Sequence, residues 1–81
     1  MKKVLKFSAS WCGPCKMLAK TLQTVETTVE IEEVDVDQNG ELTQQYKIRG
    51  VPTLVLIEDG VELKRVVGVK SKEELETWIN N

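Results

Sequence analysis

The sequence predicts an α/β domain with the element order β-α-β-α-β-β-α, in which three helices flank a four-stranded mixed sheet. Short apolar runs typical of buried strands alternate with segments whose apolar residues recur at helical spacing. The first two strands are separated by a segment that fits a helical crossover, which makes them parallel. An Asp-Gly pair between the last two strands predicts an antiparallel hairpin. Without a repeat or a linker, residues 1–81 are expected to form a single domain.

The first half of the chain predicts a strand, a helix and a second strand. Residues 4–7 form the first strand, which ends in small and polar residues. The helix begins within residues 12–14, because proline is tolerated in a first helical turn. Residues 29–37 are rich in β-formers and predict the second strand. A core-facing stripe at helical spacing consists of Leu18, Leu22, Val25 and Val29.

The second half begins with a short helix. Asn39-Gly40 predicts a turn, and residues 41–47 predict a helix with Leu42 and Tyr46 facing the core. Residues 53–57 are almost continuously apolar, as expected of a strand buried on both faces.

The last two elements carry the clearest local signals. Asp59-Gly60 predicts a tight turn into a strand at residues 61–67, which ends at Gly68. Ser71 and Glu74 have the spacing of a capping box that opens the final helix. The core-facing side of this helix consists of Leu75, Trp78 and Ile79.

The charge balance excludes one class of partner. The chain has 11 basic and 13 acidic residues and lacks the basic stripe that binds a phosphate backbone, so no nucleic-acid partner is predicted. No apolar run reaches the length of about 18 residues that a membrane span needs. The start, Met1-Lys2-Lys3, could open a signal peptide, but Lys6 interrupts the apolar run and no cleavage site follows. We therefore expect a cytoplasmic protein whose cysteines meet a reducing pool.

Cys12 and Cys15 are the candidate catalytic residues. Two cysteines three positions apart in a first helical turn can close a disulfide with little rearrangement. The free N–H groups and the dipole of a helix N-terminus favour a thiolate, the attacking species in disulfide exchange. We expect Cys12 to be the accessible nucleophile and Cys15 the buried residue that resolves the mixed disulfide.

Two other interpretations of this cysteine pair are weaker. A structural disulfide would close so short a loop that it would constrain the unfolded chain little. A zinc site needs about four ligands, and the chain offers two cysteines and no histidine. No metal and no cofactor are therefore predicted.

These residues resemble the thioredoxin family. The run WCGPCK at residues 11–16 is similar to its active-site motif, and the order and spacing of three further segments are also similar. The resemblance implies a minimal thioredoxin fold, of the length shared with glutaredoxins, and a monomer that reduces protein disulfides. It also implies recharging by thioredoxin reductase or an equivalent electron donor. The three further segments are Asp37-Gln38-Asn39, residues 49–53 (RGVPT) and Gly68.

The resemblance also implies a substrate groove. The Val51–Pro52 peptide bond would be cis and would face the cysteines, exposing the Val51 backbone to a substrate peptide. The alternative from local sequence is a trans proline that starts a strand, with Gly68 as a simple bend. The expected groove residues are Trp11, Gly13, Pro14, Val51, Pro52, Gly68 and Val69.

One position departs from the family pattern. A buried aspartate is usual six residues before the first active-site cysteine, and this chain has Lys6 there. The position of the family's partner lysine holds Glu33, so the two charges are exchanged. Strand alternation places both on one face of the sheet, where we expect them to pair beneath Cys15, with Glu33 as candidate base for proton transfer and Lys6 favouring a thiolate. The alternative is that both side chains are solvated.

Two other functions stay open on sequence alone. A glutaredoxin-like enzyme would take its electrons from glutathione, although Gly13-Pro14 between the cysteines is typical of thioredoxins. A binding module without redox activity would tolerate the loss of both cysteines.

Overall fold

The computed structural model describes all of residues 1–81 and has the predicted element order. The four strands form one sheet in the order β2-β1-β3-β4, so β2 and β4 are its edges. Strand β1 pairs parallel with β2 and antiparallel with β3, and β4 pairs antiparallel with β3. The predicted mixed sheet is confirmed. Its elements are β1 (Lys2–Ser8), α1 (Gly13–Thr24), β2 (Glu30–Asp35), α2 (Gly40–Gln45), β3 (Thr53–Glu58), β4 (Val61–Val67) and α3 (Lys72–Asn80).

Helix α1 begins where its sequence predicts and ends earlier than its apolar stripe. Cys12 is the N-cap and Pro14 lies in the first turn. Val25 is the C-cap, and Val29 lies beyond the helix in the connection to β2, although both pack against the core. The helical spacing of the apolar residues therefore extends beyond the end of the helix, because apolar residues of the adjoining loop face the same core.

Helix α2 differs in how it begins. Asn39 and Gly40 open the helix, as N-cap and first residue, and do not form the turn expected there. The turn occupies residues 36–38 and is closed by Asp35, whose carboxylate accepts a hydrogen bond from the Asp37 N–H at 2.9 Å. Tyr46, just after the helix, is buried as expected, and its hydroxyl donates to the Gly60 carbonyl.

The β3–β4 hairpin and the start of α3 form as their sequence motifs predict. Asp59 and Gly60 both have positive φ, of 52° and 86°, as a two-residue turn with right-handed strand twist requires. At α3, the Ser71 hydroxyl accepts from the Glu74 N–H and the Glu74 carboxylate accepts from the Ser71 N–H, completing the capping box. Trp78 is half-buried against the core.

Two apolar cores lie on opposite faces of the sheet. Burying each large apolar side chain contributes about 1.5–3 kcal/mol. Helices α1 and α3 cover the larger core, and α2 with Tyr46 covers the smaller. The larger core comprises Val4, Leu18, Leu22, Leu54, Leu56, Leu75 and Ile79. The smaller comprises Leu5, Phe7, Val34, Tyr46 and Val55.

None of the three helices has the length and apolar character needed to cross a bilayer.

Candidate active site

Cys12 and Cys15 lie where β1 leads into α1. A disulfide joins Cys12 and Cys15, whose Cα atoms are 5.3 Å apart. Cys12 caps the helix, and its Sγ accepts a hydrogen bond from the Cys15 N–H at 3.1 Å. One of the otherwise unpartnered N–H groups of the helix N-terminus is therefore directed at the Cys12 sulfur. Negative charge on this sulfur is stabilised by that N–H and by the helix dipole.

The two cysteines are almost equally buried, although a difference was expected. Cys12 is 5% exposed and Cys15 is 4% exposed, so the prediction of an accessible Cys12 is wrong for this disulfide form. Both pack with Ala9 in a small cluster that Val36 and Val51 cover. Residues distant in sequence provide this cover, which explains why local sequence did not show it.

The loop before β3 approaches the disulfide. The Val51–Pro52 peptide bond is cis, as expected, and the Val51 carbonyl oxygen lies 3.9 Å from the Cys12 Sγ. The Gly68 N–H donates to the Pro52 carbonyl at 3.0 Å, which fixes Gly68 beside this loop. Gly68 has a φ of 91°, a conformation that favours glycine. The structure thus brings Val51, Pro52 and Gly68 together with the cysteines.

The remaining predicted groove residues are exposed. Gly13 and Pro14 lie at the start of α1, and Val69 follows Gly68 with 42% of its surface exposed. Trp11 is 69% exposed, and its indole Nε1 donates to an Asp37 carboxylate oxygen at 2.9 Å.

A largely apolar depression of about 210 Å³ lies between Trp11 and Val51. Sequence reasoning did not identify the part that Val36 and Ile48 play in its lining. One signal could have found Val36. It directly follows β2, and the carboxyl ends of parallel strands lie at the same edge of a sheet as the residues after β1.

Lys6 and Glu33 form an ion pair, which is one of the two alternatives that the sequence left open. They are partners in the β1–β2 register, and Lys6 Nζ lies 3.2 Å from Glu33 Oε1. The Ser8 hydroxyl donates to the same carboxylate oxygen at 3.4 Å. The Lys6 side chain is only 9% exposed and that of Glu33 is 69% exposed. The prediction that Glu33 is buried together with Lys6 is therefore wrong, because Glu33 lies on an edge strand where its carboxylate reaches water.

An open cleft of about 450 Å³ lies beside this pair, on the face of the sheet that carries α1. Cys15 lines the cleft, as do Lys6 and Glu33. The charge pair and the inner cysteine therefore share one solvent-accessible space.

Comparison with known proteins agrees with this architecture. The sequence model of the thioredoxin family matches residues 1–81. Thioredoxin from Chlamydia caviae is 42% identical over 80 residues, which cover 95% of this chain and 78% of that protein. Thioredoxin from Bacillus subtilis is 38% identical over 78 residues, covering 91% and 75% of the two chains.

A solved structure gives the same result. A mutant thioredoxin from Halobacterium salinarum superimposes with a TM-score of 0.90 at 40% identity, over 98% of this chain and 72% of that one. The chain therefore belongs to the thioredoxin family of thiol–disulfide oxidoreductases and reduces protein disulfides through the Cys12–Cys15 pair.

Proposed function

We propose that Cys12 attacks the substrate and that Cys15 resolves the intermediate. The Cys12 thiolate attacks one sulfur of a substrate disulfide and forms a mixed disulfide, and the other substrate sulfur leaves as a thiolate. The Cys15 thiolate then attacks the Cys12 Sγ, which closes the Cys12–Cys15 bond and releases the second substrate sulfur. The substrate gains two electrons and two protons, and the cysteine pair loses them.

The hydrogen bond from the Cys15 N–H to the Cys12 Sγ carries this assignment. It is directed at the sulfur of the helix N-cap, where a thiolate is best stabilised. Cys15 lies within the first turn, and its own N–H supplies that bond. This difference in backbone contacts supports the two proposed roles, although the burial of the two residues does not distinguish them.

The loop geometry supports the proposed substrate groove. Val51 lies outside the strands, and its N–H and C=O take no part in the backbone hydrogen bonds. An extended substrate segment could pair with them, as in recognition by strand addition. Trp11, Gly13 and Pro14 would form one side of this groove, with Gly68 and Val69 on the other. Pro52 would contact the substrate beside the disulfide.

A cysteine exchange tests the two roles. Cys15→Ser should accumulate a mixed disulfide with an oxidised substrate protein, because the first attack still occurs and the second cannot. Cys12→Ser is the matched control and should form no covalent intermediate. Intact-mass spectrometry of both mixtures measures the adduct. An adduct on Cys12→Ser and none on Cys15→Ser would reverse the assignment.

The electron donor is a second part of the proposal. We infer that thioredoxin reductase, or an equivalent enzyme, recharges the disulfide. We also infer that residues 1–81 act as one domain and that the protein is monomeric and cytoplasmic. The Gly13-Pro14 pair between the cysteines and the thioredoxin relatives support this donor. Turnover of an oxidised substrate should be rapid with reductase and NADPH and slow with glutathione. Faster turnover with glutathione would favour a glutaredoxin-like enzyme.

A further inference from the structure

Lys6 is a buried cation whose counter-ion is in water. It lies on β1, a central strand, and 9% of its side chain is exposed. Its ion-pair partner Glu33 is 69% exposed. Water around Glu33 screens that carboxylate strongly, whereas the field of a buried charge is screened much less. The pair therefore leaves a positive potential on its buried side.

The cleft beside Lys6 reaches Cys15. The other charged groups that line it are Lys16 on α1 and Glu33 and Asp35 on β2. Lys16 is exposed, and the half-buried Asp35 carboxylate already accepts the Asp37 N–H. The loop that carries Val51 and Pro52 also contains Arg49, which lines the depression between Trp11 and Val51 and does not line this cleft. Lys6 is thus the most deeply buried charge in the cleft.

We propose that Lys6 is a positioning residue for the second half of the reaction, where its ammonium holds Cys15 as a thiolate. This rests on the proposed roles of the two cysteines. The Cys15 thiol releases its proton to water in the cleft, and the thiolate attacks Cys12 Sγ. The new bond joins the two cysteine sulfurs. The bond from Cys12 to the substrate breaks, and its electron pair leaves on the substrate sulfur, which takes a proton from water.

This arrangement makes a carboxylate base unnecessary. Glu33 then serves as counter-ion to Lys6 and does not accept the proton of Cys15. The Lys6 ammonium and the Ser8 hydroxyl already contact the same carboxylate oxygen, Glu33 Oε1. The two possible roles of Glu33 have opposite consequences when its charge is removed, and they can be separated by experiment.

The test measures thiolate formation at Cys15 directly. In full-length Cys12→Ser, Cys15 is the only thiol, and its alkylation rate by iodoacetamide is followed against pH. Lys6→Met should move the rate profile to higher pH, with about a tenfold loss of rate at neutral pH, the effect of losing one nearby opposite charge. Lys6→Arg keeps the charge and should restore the profile, since the cleft has room for the larger head group. An unchanged profile in Lys6→Met would overturn the proposal.

Removing the charge of Glu33 completes the test. Glu33→Gln should alkylate at least as fast as the parent protein, because it removes a negative charge and keeps Lys6. Slower alkylation would indicate that Glu33 acts as a base and would overturn the proposal. Circular dichroism checks that each variant is folded. If Lys6→Met unfolds, the double variant Lys6→Met with Glu33→Gln takes its place, and the same loss of alkylation rate is expected.

Failure of the proposed function would give a different result. If the cysteine roles were reversed, the adduct would form on Cys12→Ser in the trapping experiment, whatever the alkylation profile showed. If only the role of Lys6 is wrong, trapping proceeds as expected and the Lys6→Met profile coincides with that of its parent.

Discussion

Trp11 illustrates how a single exposed side chain is held next to the disulfide. Most of its indole is open to solvent, and the hydrogen bond from Nε1 to Asp37 is its one directional restraint. A rigid aromatic surface loses little conformational entropy when a partner covers it. Asp37 therefore orients the Trp11 indole, which the proposed groove would present to a substrate.

Asp37→Ala should weaken substrate binding while leaving stability nearly unchanged. We expect KM for a protein substrate to rise severalfold, since losing a hydrogen bond to a charged group costs about 1.5–3 kcal/mol at most and this one is exposed. Asp37→Glu, which keeps a carboxylate, is the matched control. Steady-state kinetics measures KM, and urea unfolding measures stability. Equal KM values in all three proteins would show that the indole orients itself without Asp37.

Single residues also show the limit of sequence reasoning at the site. Strand alternation correctly placed Lys6 and Glu33 on one face, because side-chain direction has a period of two in any strand. It did not give their unequal burial, because exposure depends on which strand lies at the edge of the sheet. Strand order is a property of long-range pairing and leaves no local mark on either residue.

Among the elements, the ends of α1 illustrate the same contrast. Its start was predictable from Cys12 and Pro14, which belong to the helix itself. Its end depends partly on α3. Beyond the helix, the Glu26 N–H donates to the Glu76 carboxylate at 2.9 Å, and the Thr27 hydroxyl donates to Asn80 at 2.7 Å. These contacts, about fifty residues apart in sequence, hold the segment after α1 in a non-helical path.

Elements with self-contained signals were predicted most closely. The Asp59-Gly60 turn and the Ser71 capping box depend on residues within four positions of one another, so their geometry is decided locally. Asn39-Gly40 is the exception. The same pair suits a turn or a helix start, and the Asp35 carbonyl selects the helix start by accepting a hydrogen bond from the Asn39 side-chain amide at 3.0 Å.

At the scale of the whole molecule, Arg65 joins the β4 edge to the end of α2. Its guanidinium donates twice to the Glu62 carboxylate, at 2.7 Å each, and once to the Tyr46 carbonyl at 2.6 Å. The hydrogen bonds from Arg65 lower the pKa of Glu62, and those to Glu62 raise the pKa of Arg65. One guanidinium thus links the sheet edge, the helix end and a carboxylate.

The ion pair between Arg65 and Glu62 should stabilise the folded state only at pH values above the acid range. The folded pKa of Glu62 lies below its ordinary value of 4.5, so the contribution is fully present above that value and is lost as pH falls through the folded pKa. Urea unfolding over a pH series should show a steeper acid loss in the parent protein than in Glu62→Gln, by less than about 1 kcal/mol because the pair is partly exposed. Glu58→Gln, which removes an exposed carboxylate at the end of β3, is the control. Parallel curves for the parent and Glu62→Gln would show that the pair adds nothing.

The order of the strands also bears on how copies of the chain meet one another. Strand β2 leaves one row of backbone groups open along its outer side, a template on which another chain can aggregate. Glu30 and Glu32 project to one face of this strand, and Glu33 projects to the other. On the neighbouring strand β1, Lys3 Nζ lies 2.9 Å from Glu32 Oε1. Two copies approaching edge to edge would bring these carboxylates together, and their repulsion would oppose strand pairing. We therefore expect the acidic residues of β2 to disfavour edge-to-edge pairing of two copies.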